Sequence, residues 1–242
     1  MPLAVSTPAL GYKTAQCDSI AWDRDPRVLI KLVCYIRKRV ILMAEDRMTT
    51  TPRFTSADLE AFPENDGKRY EIIDGDLYVS RTPHAYHQLV CARIVSKLDQ
   101  WCNQSGNGAV FVAPGLVFAE DDDVVPDLVW TSSRRMSMTL GSDGHFHGAP
   151  ELIVEVLSRG VANEKRDREA KLKLYSRRGV DEYWIVDWRQ RRLQVFRREN
   201  AQLALIATMI ESDSLTTPLL PAFVCRVSDL FAGIPDEASA PR

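Results

Sequence analysis

The sequence has few of the compositional features that would assign the protein directly to a functional class. Its formal net charge is only −2 over 242 residues, so no global positive field marks a polyanion-binding protein, and any surface for nucleic acid must be local. Its five cysteines include no C-x-x-C pair, which favours free thiols in a reducing cytosol over disulfides or a zinc site. There is no internal repeat.

Long apolar runs are also absent, and none approaches the roughly 20 residues that a membrane-spanning helix needs. The stretch from Arg27 to Met43 comes nearest, but it carries five basic residues. It starts far from the N-terminus and no small-residue cleavage site follows it, so it does not resemble a secretory signal. These absences predict a cytoplasmic protein with no membrane partner.

Differences in residue patterning and composition divide the chain into three parts. Residues 1–48 lack the patterning of the remainder, so we expect an extension outside the core, or the product of an upstream start codon. The chain is 45% hydrophobic and 26% charged, which is ordinary for a globular protein, and residues 49–233 are expected to form one domain. Residues 234–242 are expected to be a disordered tail.

Patterning within that domain predicts alternating helices and strands. Apolar spacing favours helices over Phe54–Pro63, His87–Cys102 and Glu164–Arg178. The dipeptide Asp74-Gly75 predicts the turn of a hairpin over Arg69–Ser80. Further strands are predicted over Ala109–Ala119, Val124–Trp130, Glu151–Leu157, Asp181–Asp187, Arg191–Arg198 and Leu203–Ile210. We therefore expect an α/β (α+β) fold with a central mixed β-sheet flanked by helices.

Three carboxylate residues lie in predicted strands whose other residues are typical of a buried core. They are Glu71, Asp127 and Glu155. A single acid at a strand edge is usually structural, whereas three in one small domain favour a shared role, because a buried unpaired carboxylate is costly. If Asp127 and Glu155 share a sheet face on neighbouring strands, their charges repel unless a cation lies between them. Oxygen ligands of this kind suit Mg²⁺.

The helix after Glu155 carries a lysine where an apolar residue is expected. At about 100° per residue, Lys171 and Asp167 fall within the arc that contains Leu174 and Tyr175. An i,i+4 ion pair that snorkels past the apolar face is the alternative. Lys171 is the lysine whose position predicts an inward role.

These residues resemble a known signature. Pro126-Asp127 followed by Glu155-Val156-Leu157 resembles the PD-(D/E)XK nuclease signature, with Leu157 at the position of its lysine. Between Phe54 and Phe231, five ordered segments are similar to the Uma-type restriction endonuclease family: YEIIDGDL, VVPDLVW, APELIVEVLSRG, KLKLYSRRGVDEYWIVD and VSDLF. The resemblance implies a restriction-endonuclease-like core and a metal-dependent endonuclease that hydrolyses DNA.

The resemblance also implies roles for individual residues. Asp127 and Glu155 would bind Mg²⁺, with Mn²⁺ as a possible substitute, helped by the carbonyl of Val156. Glu71 would bind the ion or orient water. A lysine from the following helix, here Lys171, would replace the strand lysine that Leu157 cannot supply. The predicted catalytic set is therefore Asp127, Glu155, Lys171 and Glu71, acting in metal-assisted hydrolysis.

Contacts to nucleic acid are predicted after the metal site. Arg159 to Arg198 holds 13 Lys or Arg against 6 Asp or Glu, a local excess of +7 that could neutralise a phosphate backbone. Arg189, Arg191 and Arg192, at a strand turn, are the expected contacts, with a solvated basic face as the alternative. The acidic run 120–123 is expected to be a polar hairpin tip or a guard of the site.

His87 is a further expected contact. It matches a histidine often found at this point of the family, where it would touch a phosphate or a carboxylate; a helix-capping or surface histidine is the alternative. A homodimer is also expected, because nucleases of this kind often pair to cut both strands.

Two other interpretations stay open. A nuclease fold without activity could bind nucleic acid or protein: the intact Asp127 and Glu155 argue against it, and the missing strand lysine argues for it. An acid/base enzyme such as a glycoside hydrolase also uses paired carboxylates. The basic segment and the apolar packing around both acids argue against that second interpretation.

Overall fold

Polar turns decide where the chain reverses, and the apolar segments between them pair into sheets. The structure is a computed structural model that describes residues 52–63 and 66–236. These residues all belong to one compact unit. The predicted extension 1–48, and most of the predicted tail 234–242, lie outside the described residues.

The elements follow one another in a mixed order. The first half contains α1 Ser56–Leu59, β1 Lys68–Ile73, β2 Asp76–Arg81, α2 Ala85–Ser105, β3 Ala109–Val112, β4 Leu116–Ala119, β5 Asp122–Val124, β6 Leu128–Thr131 and α3 Ser133–Thr139. The second half contains β7 Leu152–Val156, α4 Val161–Lys165, a π-helical segment Arg166–Lys171, α5 Leu172–Arg178, β8 Glu182–Asp187, β9 Arg192–Glu199, β10 Gln202–Met209, β11 Ser214–Leu215, β12 Cys225–Arg226 and α6 Val227–Phe231. The π segment joins α4 and α5 without a break.

Two sheets carry the architecture. The main sheet has the order β10-β9-β8-β7-β6-β3, in which β7 and β8 are parallel and the other neighbours antiparallel. A smaller antiparallel sheet has the order β2-β1-β5-β4 and contains the predicted hairpin. The central mixed sheet flanked by helices confirms the predicted fold class. None of the described helices has the length and apolar character needed to cross a bilayer.

The alternation of β7 decides which side chain meets which helix. Val154 and Val156 pack into the core cluster that contains Val90 and Leu98 of α2. Ile153 and Leu157 pack on the opposite face, into the cluster that contains Leu174 and Tyr175 of α5. Glu155 therefore points toward the π segment and α5, as the period of two predicts.

The predicted continuous strands Ala109–Ala119 and Val124–Trp130 are wrong, because each is divided between the two sheets. Pro114 and Pro126 lie at the divisions, where a residue without an N–H cannot continue a ladder. The chain thus crosses between the sheets twice, and the N–H of Ala113 in the first crossing donates to the carbonyl of Asp127 in the second, at 2.9 Å. Asp127 is consequently at the junction of the sheets.

Two further elements differ from expectation. The helix α3 had no predicted counterpart, since it buries no residue and so carries no apolar stripe. The acidic run 120–123 is not simply a polar tip, because Asp122 in β5 is only 1% exposed. Its carboxylate is covered by Arg177 and Arg178 of α5.

Candidate active site

The three strand carboxylates gather where the two sheets meet. Glu71 comes from β1 of the small sheet, Asp127 from the crossing before β6, and Glu155 from β7 of the main sheet. Their exposures are 0%, 7% and 1%. The antiparallel register pairs Leu128 with Val154, and continuing it by one residue places Asp127 opposite Glu155.

Lys171 joins two of these carboxylates. Its Nζ donates to Glu155 Oε1 at 2.8 Å and lies 2.8 Å from Glu71 Oε1. The side chain is fully buried. Although burial acts to lower the pKa of Lys171, the charges of Glu155 and Glu71 raise it above its ordinary value, so the amine is an ammonium ion. The Tyr175 hydroxyl also donates to Glu155 Oε1, at 3.0 Å.

The π segment explains why a second cation joins the cluster. Hydrogen bonds from residue i to i+5 widen the helix turn, so that side chains five residues apart lie on one side. Arg166 and Lys171 are five apart, and Arg166 Nη1 lies 3.4 Å from Glu71 Oε2. In a regular α-helix these two positions would differ by about 140°. Regular helical spacing therefore selects Lys171 and misses Arg166.

Asp127 is held by three donors. Arg69 donates to Oδ1 at 3.2 Å, while His87 Nε2 and the backbone N–H of Val156 approach Oδ2 at 3.0 and 2.9 Å. Although burial opposes ionisation, the hydrogen bond and charge of His87, with the charge of Arg69, hold the pKa of Asp127 well below its ordinary value. The carboxylate is therefore an acceptor, and His87 Nε2 carries the proton.

His87 is buried and contacts a carboxylate, the second of the two family-derived contacts expected for it. Its Nδ1 lies 3.7 Å from Cys91 Sγ, so the imidazole stands between a thiol and Asp127. In the described part of the chain, these three residues are the one trio of His, Cys, Asp or Glu with ligand atoms all within 4.8 Å. The cap of α2 is instead His84, whose Nδ1 accepts from the N–H of Tyr86.

Carboxylates are crowded together in the cluster. Glu71, Asp127, Glu155 and Asp167 face the cations Arg69, Arg166 and Lys171 and the imidazole of His87. Burial raises the pKa of Glu155 to about 8, because the opposing charge of Lys171 is itself offset by the neighbouring carboxylates. A further cation would be stabilised here.

Two carboxylate oxygens of the cluster accept no hydrogen bond from the described residues. Glu71 Oε2 is buried and accepts no hydrogen bond from any described residue. Both hydrogen bonds to Glu155 go to Oε1, so within the described residues its Oε2 has no donor either. Magnesium prefers oxygen ligands of this kind.

A cleft of about 180 Å³ opens on Asp127. The basic side chains among its lining residues are Lys68, Arg69, Arg81 and Arg166. Cations beside a buried carboxylate suit a phosphodiester, whose negative charge they neutralise. Sequence reasoning did not select these residues, but one signal was available: Arg69 lies two positions before Glu71 and so shares its strand face.

The arginines predicted to contact nucleic acid lie elsewhere, at the β8–β9 turn. Arg189 donates to Glu164 Oε1 at 2.5 Å, and Arg191 donates to Glu211 Oε1 at 2.8 Å. Arg192 is exposed and lines a separate cavity of about 250 Å³. None of the three lines the cleft at Asp127 among the described residues.

Comparisons with known proteins bear on the family and the fold. The Uma2 family model, described as "Putative restriction endonuclease", matches residues 56–228. A "putative nuclease belonging to DUF820" from Anabaena variabilis has a solved structure with TM-score 0.59 and 18% identity, covering 74% of this chain and 97% of that chain. It shows the restriction-endonuclease-like fold.

Two other comparisons add little. The type IIG restriction endonuclease BpuSI aligns with TM-score 0.35 and 14% identity over 60% of this chain and 15% of its own, which is too loose to indicate a common fold. No curated protein matches the chain.

Proposed function

We propose that this chain, which belongs to the Uma2 family, is a metal-dependent endonuclease that hydrolyses phosphodiester bonds of DNA. One observation carries the proposal: the buried cluster of Asp127, Glu155 and Glu71 with Lys171 lies beside a basic cleft. Charged groups are rarely buried together without a role, and clefts that hold them are candidates for catalysis.

Asp127 and Glu155 are the proposed ligands of Mg²⁺, for which Mn²⁺ could substitute. The carbonyl of Val156, at the end of β7, is the proposed third oxygen. The bound ion would activate water and offset the charge that develops on the phosphate. The donors on Asp127 orient its carboxylate before any ion arrives, which preorganises the site.

Glu71 is better suited to hold Lys171 than to bind the ion alone. Its Oε1 accepts from the N–H of Val125 at 2.9 Å and lies 2.8 Å from Lys171 Nζ. Arg166 is the cation nearest its Oε2, at 3.4 Å. We therefore assign Glu71 chiefly to positioning Lys171, with Oε2 left for an ion or a water molecule.

Lys171 takes the role of the absent strand lysine. Leu157 is fully buried among apolar side chains and has no polar atom to offer. An ammonium group has three donors. Two of them are directed at Glu71 and Glu155, and we assign the third to a water molecule or a phosphate oxygen.

The residues around the cleft are the proposed substrate contacts. Lys68, Arg69 and Arg81 would neutralise the DNA phosphates that enter it. Arg192 remains a proposed contact outside the cleft, whereas Arg189 and Arg191 bind carboxylates of this chain and do not line the cleft. Cleavage of both strands of a duplex would need two such sites, so a homodimer also remains a proposal.

A second candidate function is an inactive nuclease fold that binds nucleic acid or protein. The observation that favours it is that Lys171 pairs with both Glu71 and Glu155, so that the charges of these residues offset one another within the chain. A protein of this kind would bind DNA through the same basic cleft and cut none.

Cleavage assays separate the two candidates. Plasmid and single-stranded DNA would be incubated with Mg²⁺ or Mn²⁺, beside Asp127→Asn, Glu155→Gln and Lys171→Met. We expect ion-dependent cleavage by the wild type and a loss of at least about 100-fold in each variant. The matched control is Glu199→Gln, at an exposed position of β9, which should keep full activity.

Two results would contradict the nuclease assignment. Equal cleavage by the wild type, the three site variants and the control would identify a contaminant as the source of activity. Ion-independent DNA binding by a folded wild type that never cuts would establish the inactive alternative. Circular dichroism and thermal unfolding of each variant would separate lost chemistry from lost fold.

A further inference from the structure

Trp188, directly after β8, is the centre of a stack of rings. The His84 ring lies 5.0 Å away at an interplanar angle of 18°, and Tyr86 meets the indole edge-on at 5.6 Å. Trp188 Nε1 donates to the Leu157 carbonyl at 3.1 Å, which holds the indole against the end of β7. The Arg159 guanidinium carbon is 5.6 Å from the indole centroid, within cation–π range.

This stack begins at the rim of the cleft that opens on Asp127. Pro83 and Ser158 both line the cleft. His84 and Arg159 are the next residues along the chain in each case. Since consecutive Cα atoms are about 3.8 Å apart, His84 and Arg159 both lie beside the cleft that we propose for the phosphate.

Exposure divides the stack into an inner and an outer part. Trp188 is only 5% exposed and belongs to the core, whereas His84 is half-buried and Arg159 is exposed. The two outer groups are flat, and their neighbours already order them. A flat, ordered surface binds a flat ligand with a small loss of conformational entropy.

The fold does not explain the chemistry of the two outer groups. His84 caps α2 by accepting from the Tyr86 N–H at 3.1 Å, which an asparagine would do as well. Arg159 forms no ion pair with any residue that the structure describes. Each position therefore keeps a planar group that capping or charge pairing does not require.

We propose that His84 and Arg159 form a stacking site for an unpaired nucleobase whose phosphate lies in the basic cleft. Aromatic rings and arginine planes stack on the faces of bases, and those faces are covered within a duplex. The favoured substrate is therefore single-stranded or locally unpaired nucleic acid. This inference rests on the proposed function for the position of the phosphate, but it concerns binding and not cleavage.

Binding measurements without any divalent ion test it. Fluorescence anisotropy would compare a short labelled DNA strand, the RNA strand of the same sequence, and the DNA duplex. His84→Asn keeps a cap acceptor and removes the ring, and Arg159→Lys keeps the charge and removes the plane. Each is expected to weaken binding of the single strands at least about fivefold and to leave duplex binding unchanged.

Controls separate stacking from charge and from folding. Arg134→Lys, at an exposed position of α3, should alter no affinity. Unchanged single-strand affinity in both variants would overturn the proposal, and so would an equal loss for single strands and duplex. If the DNA strand and the RNA strand bind with different affinities, the strand that binds more tightly is the one that the site accepts. Equal affinities would show that the site accepts both.

The two proposals fail separately. A wild type that prefers single strands through His84 and Arg159 but never cuts DNA would overturn the nuclease function alone. A wild type that cuts DNA while both variants bind single strands normally would overturn the stacking site alone.

Discussion

At the scale of single residues, the site is set by which carboxylate keeps its proton. Despite burial, the charges of Lys171 and Arg166 hold the pKa of Glu71 below its ordinary value. Burial raises the pKa of Glu155 to about 8, even with Lys171 at 2.8 Å. Glu155 therefore holds a proton near neutral pH in the absence of an added cation, and binding a cation there would release that proton.

Glu155→Gln is expected to change how the free energy of unfolding depends on pH. The folded pKa of about 8 lies above the ordinary value of 4.5, so between these values the folded protein holds more protons. The contribution of Glu155 is fully present below about pH 4.5 and is lost as pH rises toward 8, by at most about 1.4 kcal/mol per pH unit. Urea unfolding across this window should show a less negative slope for the variant.

The control for this measurement is Glu199→Gln, which alters an exposed carboxylate on β9 and should keep the wild-type slope. Parallel pH profiles for the wild type and Glu155→Gln would show that Glu155 titrates at its ordinary value.

At the scale of elements, the helix after β7 has to present cations inward and still pack its apolar side chains. The π segment holds one residue more than an α-helical turn, so Arg166 and Lys171 both lie on its buried side while α5 continues with its apolar face toward the core. Leu174 and Tyr175 of α5 are fully buried, and the nearby Glu169 and Lys173 side chains are 67% and 73% exposed. The extra residue is thus accommodated within the π segment.

Two single-residue deletions test this account. Deleting Glu169 shortens the π turn to an α turn and leaves Arg166 and Lys171 four apart, on one face, so we expect a loss of unfolding free energy below about 1 kcal/mol. Deleting Lys173 rotates the rest of α5 by about 100° and moves Leu174 and Tyr175 out of the core. That variant should lose about 3 kcal/mol or more in urea unfolding. Equal losses would contradict the role given to the π segment.

At the scale of the whole molecule, a buried acid ties the small sheet to the helix that covers the main sheet. Asp122 of β5 accepts from the N–H of Asp74 at 2.8 Å through Oδ1. Its Oδ2 accepts from Arg177 at 2.8 Å and from Arg178 at 3.0 Å. Since the small sheet carries Glu71 and Arg69, this contact sets how two site residues meet the carboxylates of the main sheet.

Asp122→Asn should therefore destabilise the protein by about 2 kcal/mol, which allows for the partial exposure of both arginines. The matched control is Asp76→Asn, an exposed acid of the same small sheet, for which no loss is expected. Urea unfolding at neutral pH compares the two variants. Equal stabilities would show that the two sheets are held together by other contacts.

The sequence by itself determined features that depend on neighbours a few positions away. It predicted the hairpin at Asp74-Gly75, the burial of Glu155 with Ile153 and Leu157 on one strand face, and the inward direction of Lys171. Each follows from a period of two or 3.6, or from turn chemistry.

Only the tertiary structure decided which of these residues meet. Asp127 and Arg69 are 58 positions apart, and Glu155 and Tyr175 come from different elements. Their contacts exist because the chain changes sheets at Pro126, and because a π turn adds Arg166 to the side of Lys171. Neither event leaves a periodic signal, since a crossing interrupts alternation and an extra residue in a turn shifts the helical spacing.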